Sequence, residues 1–90
     1  MPEVTVTLQN PTGLHARPAK VFAKAAAAST ADVTLTKDGR EVNAKSVLSV
    51  LTLDCHQGDQ ILIRTAGEMA EETLAELVGL VESGLGEAEE

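Results

Sequence analysis

Between residues 4 and 28 the hydrophobic period changes from two to about 3.6 across one short turn, and this restricts the chain more than any other feature. Val4, Val6 and Leu8 alternate with Thr5 and Thr7, the pattern of a strand over 4–8 with one buried face. Gln9, Asn10, Pro11, Thr12 and Gly13 then form a cluster of turn residues, and an alanine-rich helical run follows over 19–28. Within that run Ala19, Phe22, Ala23 and Ala26 fall at i, i+3, i+4 and i+7. Such a stripe of mostly small side chains lets a helix lie close against a sheet.

The remaining patterns extend this strand–helix unit. Val33 and Leu35 alternate with Thr34 and Thr36, and Asp38-Gly39 stands where a two-residue hairpin turn needs positive φ. Residues 46–53 read as a short helix with Ser46 as its N-cap. Gln57, Gly58 and Asp59 form a turn, and Ile61, Leu62 and Ile63 a fourth strand. Leu74, Leu77, Val78 and Val81 mark a final amphipathic helix, acidic in its first turn and ending near Gly84. The order β-α-β-β-α-β-α makes an α+β chain whose simplest solution is one largely antiparallel sheet with helices on one face. Residues 86–90 read as a frayed acidic tail.

Ninety residues, 43% of them hydrophobic, are expected to form one domain spanning 1–90. A domain of this size buries only about 60% of its unfolded surface, so its function is expected on the outside. One cysteine cannot form an internal disulfide, and no basic segment followed by an apolar core opens the sequence. A cytoplasmic setting is therefore expected. No apolar run reaches the roughly 18 residues of a membrane span. Phe22 is the one aromatic residue, too few for a base-stacking platform. The net charge of −7 is uneven: all seven basic residues lie at or before Arg64, and the segment from Glu68 onward is purely acidic. Nucleic-acid binding by global charge is disfavoured, while a local basic patch on the first two-thirds is allowed.

The informative segment is Thr12-Gly13-Leu14-His15-Ala16-Arg17-Pro18-Ala19, which places a titratable nucleophile at a strand-to-helix junction. A helix start presents unpaired backbone N–H groups and a partial positive charge, a ready cradle for phosphate. The N–H groups of Ala16 and Arg17 supply that cradle, and Pro18 fits a first turn where its missing N–H is not needed. The same field is expected to keep His15 neutral and nucleophilic, with Arg17 as a fixed cation for phosphoryl oxygens. Arg17, Lys20 and Lys24, at i, i+3 and i+7, share a basic face opposite Phe22. That face suits acidic partners and equally suits simple solvation.

The run Gly13-Leu14-His15-Ala16-Arg17-Pro18-Ala19 closely resembles the active-site signature of the HPr family, the histidine-containing phosphocarriers of the phosphoenolpyruvate-dependent phosphotransferase system. The resemblance extends over the whole chain, through Lys45-Ser46 and Gln57-Gly58-Asp59. It implies an open-faced β-sandwich, a four-stranded antiparallel sheet with three helices on one face. It further implies that His15 accepts phosphate on Nδ1 from phospho-Enzyme I and passes it to Enzyme IIA domains, supported by Arg17. No cofactor is implied.

Ser46, as an N-cap, needs no other role, although a phosphate there would complement the helix dipole. The resemblance implies a regulatory site for an HPr kinase/phosphorylase whose product acts on carbon use through a transcriptional regulator. Val47, Leu48 and Leu51 fall on a different side of the short helix from Val50 and Leu53. The pattern alone leaves open whether the first set is an exposed docking patch or all five are core. The resemblance implies that this helix surface helps bind Enzyme I and Enzyme IIA, and Lys20, Lys24 and Lys45 are expected to join it as partner-binding residues. Cys55 and His56 are adjacent and lack two further ligands, so both are expected to be loop residues with no metal site.

Asp54 stands where sugar-transport members usually carry Gly, and Ser49 where some enteric members carry a basic residue. Leu53-Asp54, Ser46-Val47 and the acidic tail are more similar to NPr, the carrier of the nitrogen-related branch. Two functional classes follow: a phosphoryl carrier, expected to be monomeric and without membrane insertion, or a regulatory interaction module acting through Ser46. A self-sufficient kinase or phosphatase is excluded by the lack of a nucleotide-binding loop.

Overall fold

In a computed structural model, which describes residues 2–85, the elements run β1 (Glu3–Thr7), α1 (Ala16–Ala27), β2 (Asp32–Lys37), β3 (Arg40–Asn43), α2 (Val47–Leu51), β4 (Gln60–Ala66) and α3 (Ala70–Glu82). The expected order holds. The acidic tail expected over 86–90 lies outside the described residues.

The four strands form one antiparallel sheet in the order β1-β4-β2-β3. β4 and β2 are the two inner strands, and both alternate: Ile61, Ile63 and Thr65 are buried in β4 and Val33 and Leu35 in β2, with half-buried residues between them. Asp38 and Gly39 adopt φ of 52° and 82°, the left-handed pair that closes a hairpin of the hand the strands' twist requires. Val4, read as inward-facing, is 38% exposed, at the outer end of the edge strand.

The helices cover one face. Pro18, Ala19, Phe22, Ala23 and Ala26 are the buried side of α1, and Leu74, Leu77 and Val81 that of α3. They meet Val33, Leu35, Ile61 and Ile63 from the sheet in one core around fully buried Phe22. Each large apolar side chain enclosed there contributes about 1.5 to 3 kcal/mol relative to exposure.

β1 runs over 3–7 rather than 4–8 and α2 over 47–51 rather than 46–53, and the structure departs from the sequence pattern at three further places. α1 begins at Ala16 rather than 19, because Ala16 enters the helix through a left-handed φ of 48° that no hydrophobic period reveals. β4 runs past Ile63 to Ala66, where it pairs with Asp32. Cys55 is in a loop by backbone, but its side chain is fully buried in the core, and burial pushes its thiol up to about 11.

Candidate functional site at the start of helix α1

Two loops meet at this site. Gly13 has φ of +63°, and a Cβ there would lie 2.6 Å from the His56 Cα, so only glycine permits the approach. Leu14 N–H donates to the Cys55 carbonyl at 3.1 Å, fastening the loop before α1 to the segment after α2. Asn10 reinforces the turn by donating from Nδ2 to the Gly13 carbonyl at 2.7 Å.

His15 follows as the N-cap of α1, with extended φ and ψ of −114° and 157° and no side-chain cap hydrogen bond. Its side chain therefore leaves the helix-start amides of Ala16 and Arg17 uncovered, and these have no intrahelical acceptor. The imidazole is about one-third exposed, and its Nε2 lies 2.9 Å from Asp54 Oδ1. Its Nδ1 lies 3.1 Å from the Thr12 carbonyl oxygen. A neutral ring has one N–H for these two acceptors. The charged one forms the stronger bond, so Nε2–H faces Asp54 and Nδ1 keeps its lone pair.

Asp54 was legible only as a departure from the family pattern. Its φ of 54° shows why glycine suits this position: the chain leaves α2 through the left-handed region, which Asp tolerates better than most residues. The side chain gained there points at the imidazole. Hydrogen bonding to His15, with His56 nearby, lowers the Asp54 pKa. His56 Nε2 is 3.5 Å from the same Asp54 oxygen, and the two imidazoles stand edge to face with centroids 4.9 Å apart. The expectation that His56 lacks companion ligands is thus corrected: His15, Asp54 and His56 bring three donor atoms within 4.8 Å of one another. Asp54, two positions away, and His15, far away in sequence, supply what the adjacent Cys55 does not, because Cys55 is buried.

Lys37, at the end of β2, underpins this segment. Its Nζ donates to the Asp54 carbonyl at 2.9 Å and pairs with Asp59 Oδ2 at 3.0 Å. Asp59 also accepts from the His56 backbone N–H at 2.8 Å, so its pKa is lowered by that bond first and by Lys37 second. Sequence reading missed Lys37; its place at a strand end beside the hairpin was the available signal.

The other expected residues divide into exposed and engaged groups. Arg17, Lys20 and Lys24 are exposed along α1, and their side chains form no hydrogen bond or ion pair with another described residue. Lys45 is engaged: its Nζ donates to the Ser29 carbonyl at 2.9 Å, tying the β3–α2 connection to the end of α1. Ser46 caps α2, its Oγ accepting from the Ser49 N–H at 3.3 Å. Leu48 is 76% exposed, Val47 and Leu51 are half-buried, and Val50 and Leu53 are buried. The division of these five into an outer and an inner set therefore holds.

This geometry defines a class: an α+β open-faced sandwich presenting a surface histidine at a helix start without a side-chain cap, beside an exposed arginine. Residues 2–83 match the family model for the PTS HPr component phosphorylation site. The phosphocarrier protein HPr of Streptomyces coelicolor is 47% identical over 79 residues, 87% of this chain and 85% of that protein. The HPr-like protein Crh of Bacillus subtilis is 38% identical over 82 residues, 91% of this chain and 96% of that protein. Among solved structures, HPr of Thermoanaerobacter tengcongensis superposes with a TM-score of 0.95 at 39% identity, covering 99% of this chain and 100% of that one. The chain belongs to the HPr family of phosphotransferase-system phosphocarriers. No helix among the described residues is long and apolar enough to cross a membrane.

Proposed function

We propose that the chain is a phosphoryl carrier in which His15 Nδ1 takes a phosphoryl group from phospho-Enzyme I and passes it to an Enzyme IIA domain. The observation that carries this reading is the hydrogen bond from Nε2–H to Asp54 at the start of α1, which has no side-chain cap. It leaves the Nδ1 lone pair as the nucleophile. As the N–P bond forms and the bond to the donor breaks, the ring becomes cationic, and the Asp54 carboxylate on the opposite nitrogen stabilises that charge. The Ala16 and Arg17 amides and the Arg17 guanidinium hold the phosphoryl oxygens. Delivery to the acceptor reverses these steps.

Lys20 and Lys24 steer acidic partner surfaces toward His15, and Val47, Leu48 and Leu51 supply the apolar contact. Lys45 contributes by holding α2 in place. The protein works as a single cytoplasmic monomer, and Ser46 is the site at which a kinase adjusts the carrier. The test is incubation with Enzyme I and phosphoenolpyruvate, followed by intact mass. One acid-labile phosphate, absent in His15→Ala, is expected; an acid-stable adduct or a labelled His15→Ala protein sinks the reading.

A second reading, a regulatory module acting through Ser46, is favoured by the similarity to Crh proteins; the nitrogen-related branch is its close variant, suggested by Asp54. Under this reading His15→Ala leaves binding of the regulated partner intact, whereas Ser46→Ala abolishes its control. A Crh structure described as a swapped dimer makes the native mass of this chain a direct check on the monomer.

A further inference from the structure

We propose that His15, Asp54 and His56 form a binding site for a divalent transition cation of the zinc type, and that the bound ion closes the carrier to phosphate. The second statement rests on the carrier reading; the first stands on geometry alone.

The donor set is chemically suited. Two imidazoles and one carboxylate are the common ligands of an open zinc site, in which a fourth position is left to water. Ligands about 2.0 to 2.2 Å from a tetrahedral zinc stand about 3.3 to 3.6 Å apart. The two edges meeting at Asp54 Oδ1 measure 2.9 and 3.5 Å, and one ligand atom from each of the three residues lies within 4.8 Å of the others. Side-chain rotation can bring these atoms to zinc-ligand spacing, because Asp54 and His56 are 73% and 61% exposed. The partial positive charge at the α1 start, roughly half a unit, is outweighed by the full negative charge of the carboxylate.

A second, independent feature is the shell behind the ligands. Both imidazoles offer Nε2 to the same carboxylate oxygen, and behind each ring Nδ1 faces an acceptor. Behind His15 it is the Thr12 carbonyl, in hydrogen-bond reach at 3.1 Å; behind His56 it is Asp59 Oδ2 at 3.7 Å, an ion-pair distance longer than a hydrogen bond. A metal-bound histidine typically donates its other ring N–H to a carbonyl or carboxylate, which fixes the tautomer and ring orientation. The outer layer of a metal centre is therefore in place behind His15, and Asp59 stands close behind His56. The Gly13 contact joins the two loops.

Occupation reverses the tautomer that the carrier needs. With Nε2 on the ion, the His15 proton sits on Nδ1 and turns to the Thr12 carbonyl, so the nucleophilic lone pair is gone. Asp54 is simultaneously withdrawn from the ring. Ion and phosphoryl group thus compete for one histidine in two forms.

The test is titration of the full chain with zinc alone, by calorimetry and by 15N NMR of the histidine rings. Saturation at one equivalent is expected, with His15 passing from the Nε2–H to the Nδ1–H form. Asp54→Asn, which tolerates the same backbone, and His56→Gln should each weaken binding at least about tenfold, with unchanged circular dichroism. No saturable binding, or binding that both substitutions leave intact, overturns the site. The rate of Enzyme I-dependent phosphorylation is then compared with and without zinc, within each protein. At least a tenfold drop in the natural chain and under twofold in His56→Gln supports the block and controls for zinc acting on Enzyme I; equal ratios overturn it. Failure to accept phosphate even in zinc-depleted buffer overturns the carrier reading, while the titration still decides the site.

Discussion

His15 and Asp54, 39 positions apart, meet through Nε2 and Oδ1 at 2.9 Å, and this contact chooses which imidazole nitrogen is free to react. The neutral ring is expected as the Nε2–H tautomer in 15N NMR of the zinc-free protein. Asp54→Asn keeps an acceptor but loses the charge, roughly halving the strength of the bond. Phosphoryl acceptance from Enzyme I should then slow about tenfold. An unchanged rate would mean that Asp54 is a bystander. Hydrogen bonding to His15, with His56 nearby, holds the Asp54 pKa below its usual range, so the carboxylate is charged at neutral pH, where transfer is measured.

His15→Ala should abolish phosphorylation and barely change stability, since the ring is a partly exposed N-cap that makes no cap hydrogen bond. Arg17→Ala should slow transfer by about ten- to a hundredfold while the backbone donors remain. Quench-flow measurement with Enzyme I checks both; full-rate transfer in Arg17→Ala would remove that residue from the site.

The elements were legible because local chemistry fixes them: alternation in β1 and β2, the apolar run Ile61-Leu62-Ile63 in β4, the Asp38-Gly39 turn, the small-residue stripe on α1 and the Ser46 cap. His15 and Arg17 were legible because their motif is contiguous. The cluster around them was not, because it depends on a tertiary contact. Gly13 must press against the backbone of Cys55 and His56 before Asp54 can reach His15. Nothing near Cys55 or His56 in the sequence marks the first as a core residue and the second as a neighbour of the nucleophile. Lys45 illustrates the same limit: a lysine beside a proposed docking helix reads as a partner contact, yet the fold spends it on Ser29.

Gly13→Ala should be costly for two separable reasons. The left-handed φ disfavours a Cβ by about 1 to 2 kcal/mol, and the methyl would collide with backbone that cannot move aside as a side chain could. A total loss of at least about 2 kcal/mol is expected from urea unfolding. The ring resonances of His15 and His56 should also lose their mutual contact. A variant as stable as the natural chain would refute the close approach.

Asp59 ties stability to pH. Its carboxylate accepts from the His56 N–H and pairs with Lys37, so its folded pKa lies below the unfolded one. Folding then releases protons from this group in the acid range. The stabilisation is fully present above about pH 4 and is lost as the pH falls through the folded value. Asp59→Ala should lower the urea midpoint at pH 7, and the gap from the natural chain should narrow at pH 3. A gap independent of pH would show that the loss is one of packing rather than charge.

Ser46 separates stability from activity. Its Oγ accepts from the Ser49 N–H at the start of α2, so Ser46→Ala should cost about 1 kcal/mol. Ser46→Asp retains an oxygen acceptor and adds negative charge at a positive helix end, a gain of about 0.3 to 1 kcal/mol. Its thermal midpoint should therefore equal or exceed that of the natural chain. Transfer should move the other way. A hydrated anion beside Val47 and 76%-exposed Leu48 disrupts an apolar contact and repels an acidic partner. Enzyme I-dependent phosphorylation of Ser46→Asp should consequently fall several-fold, chiefly through a higher KM, while Ser46→Ala keeps nearly full transfer. An Asp variant that melts well below wild type would show that this helix start does not favour negative charge. A stable Asp variant with unchanged transfer would place partner docking away from α2.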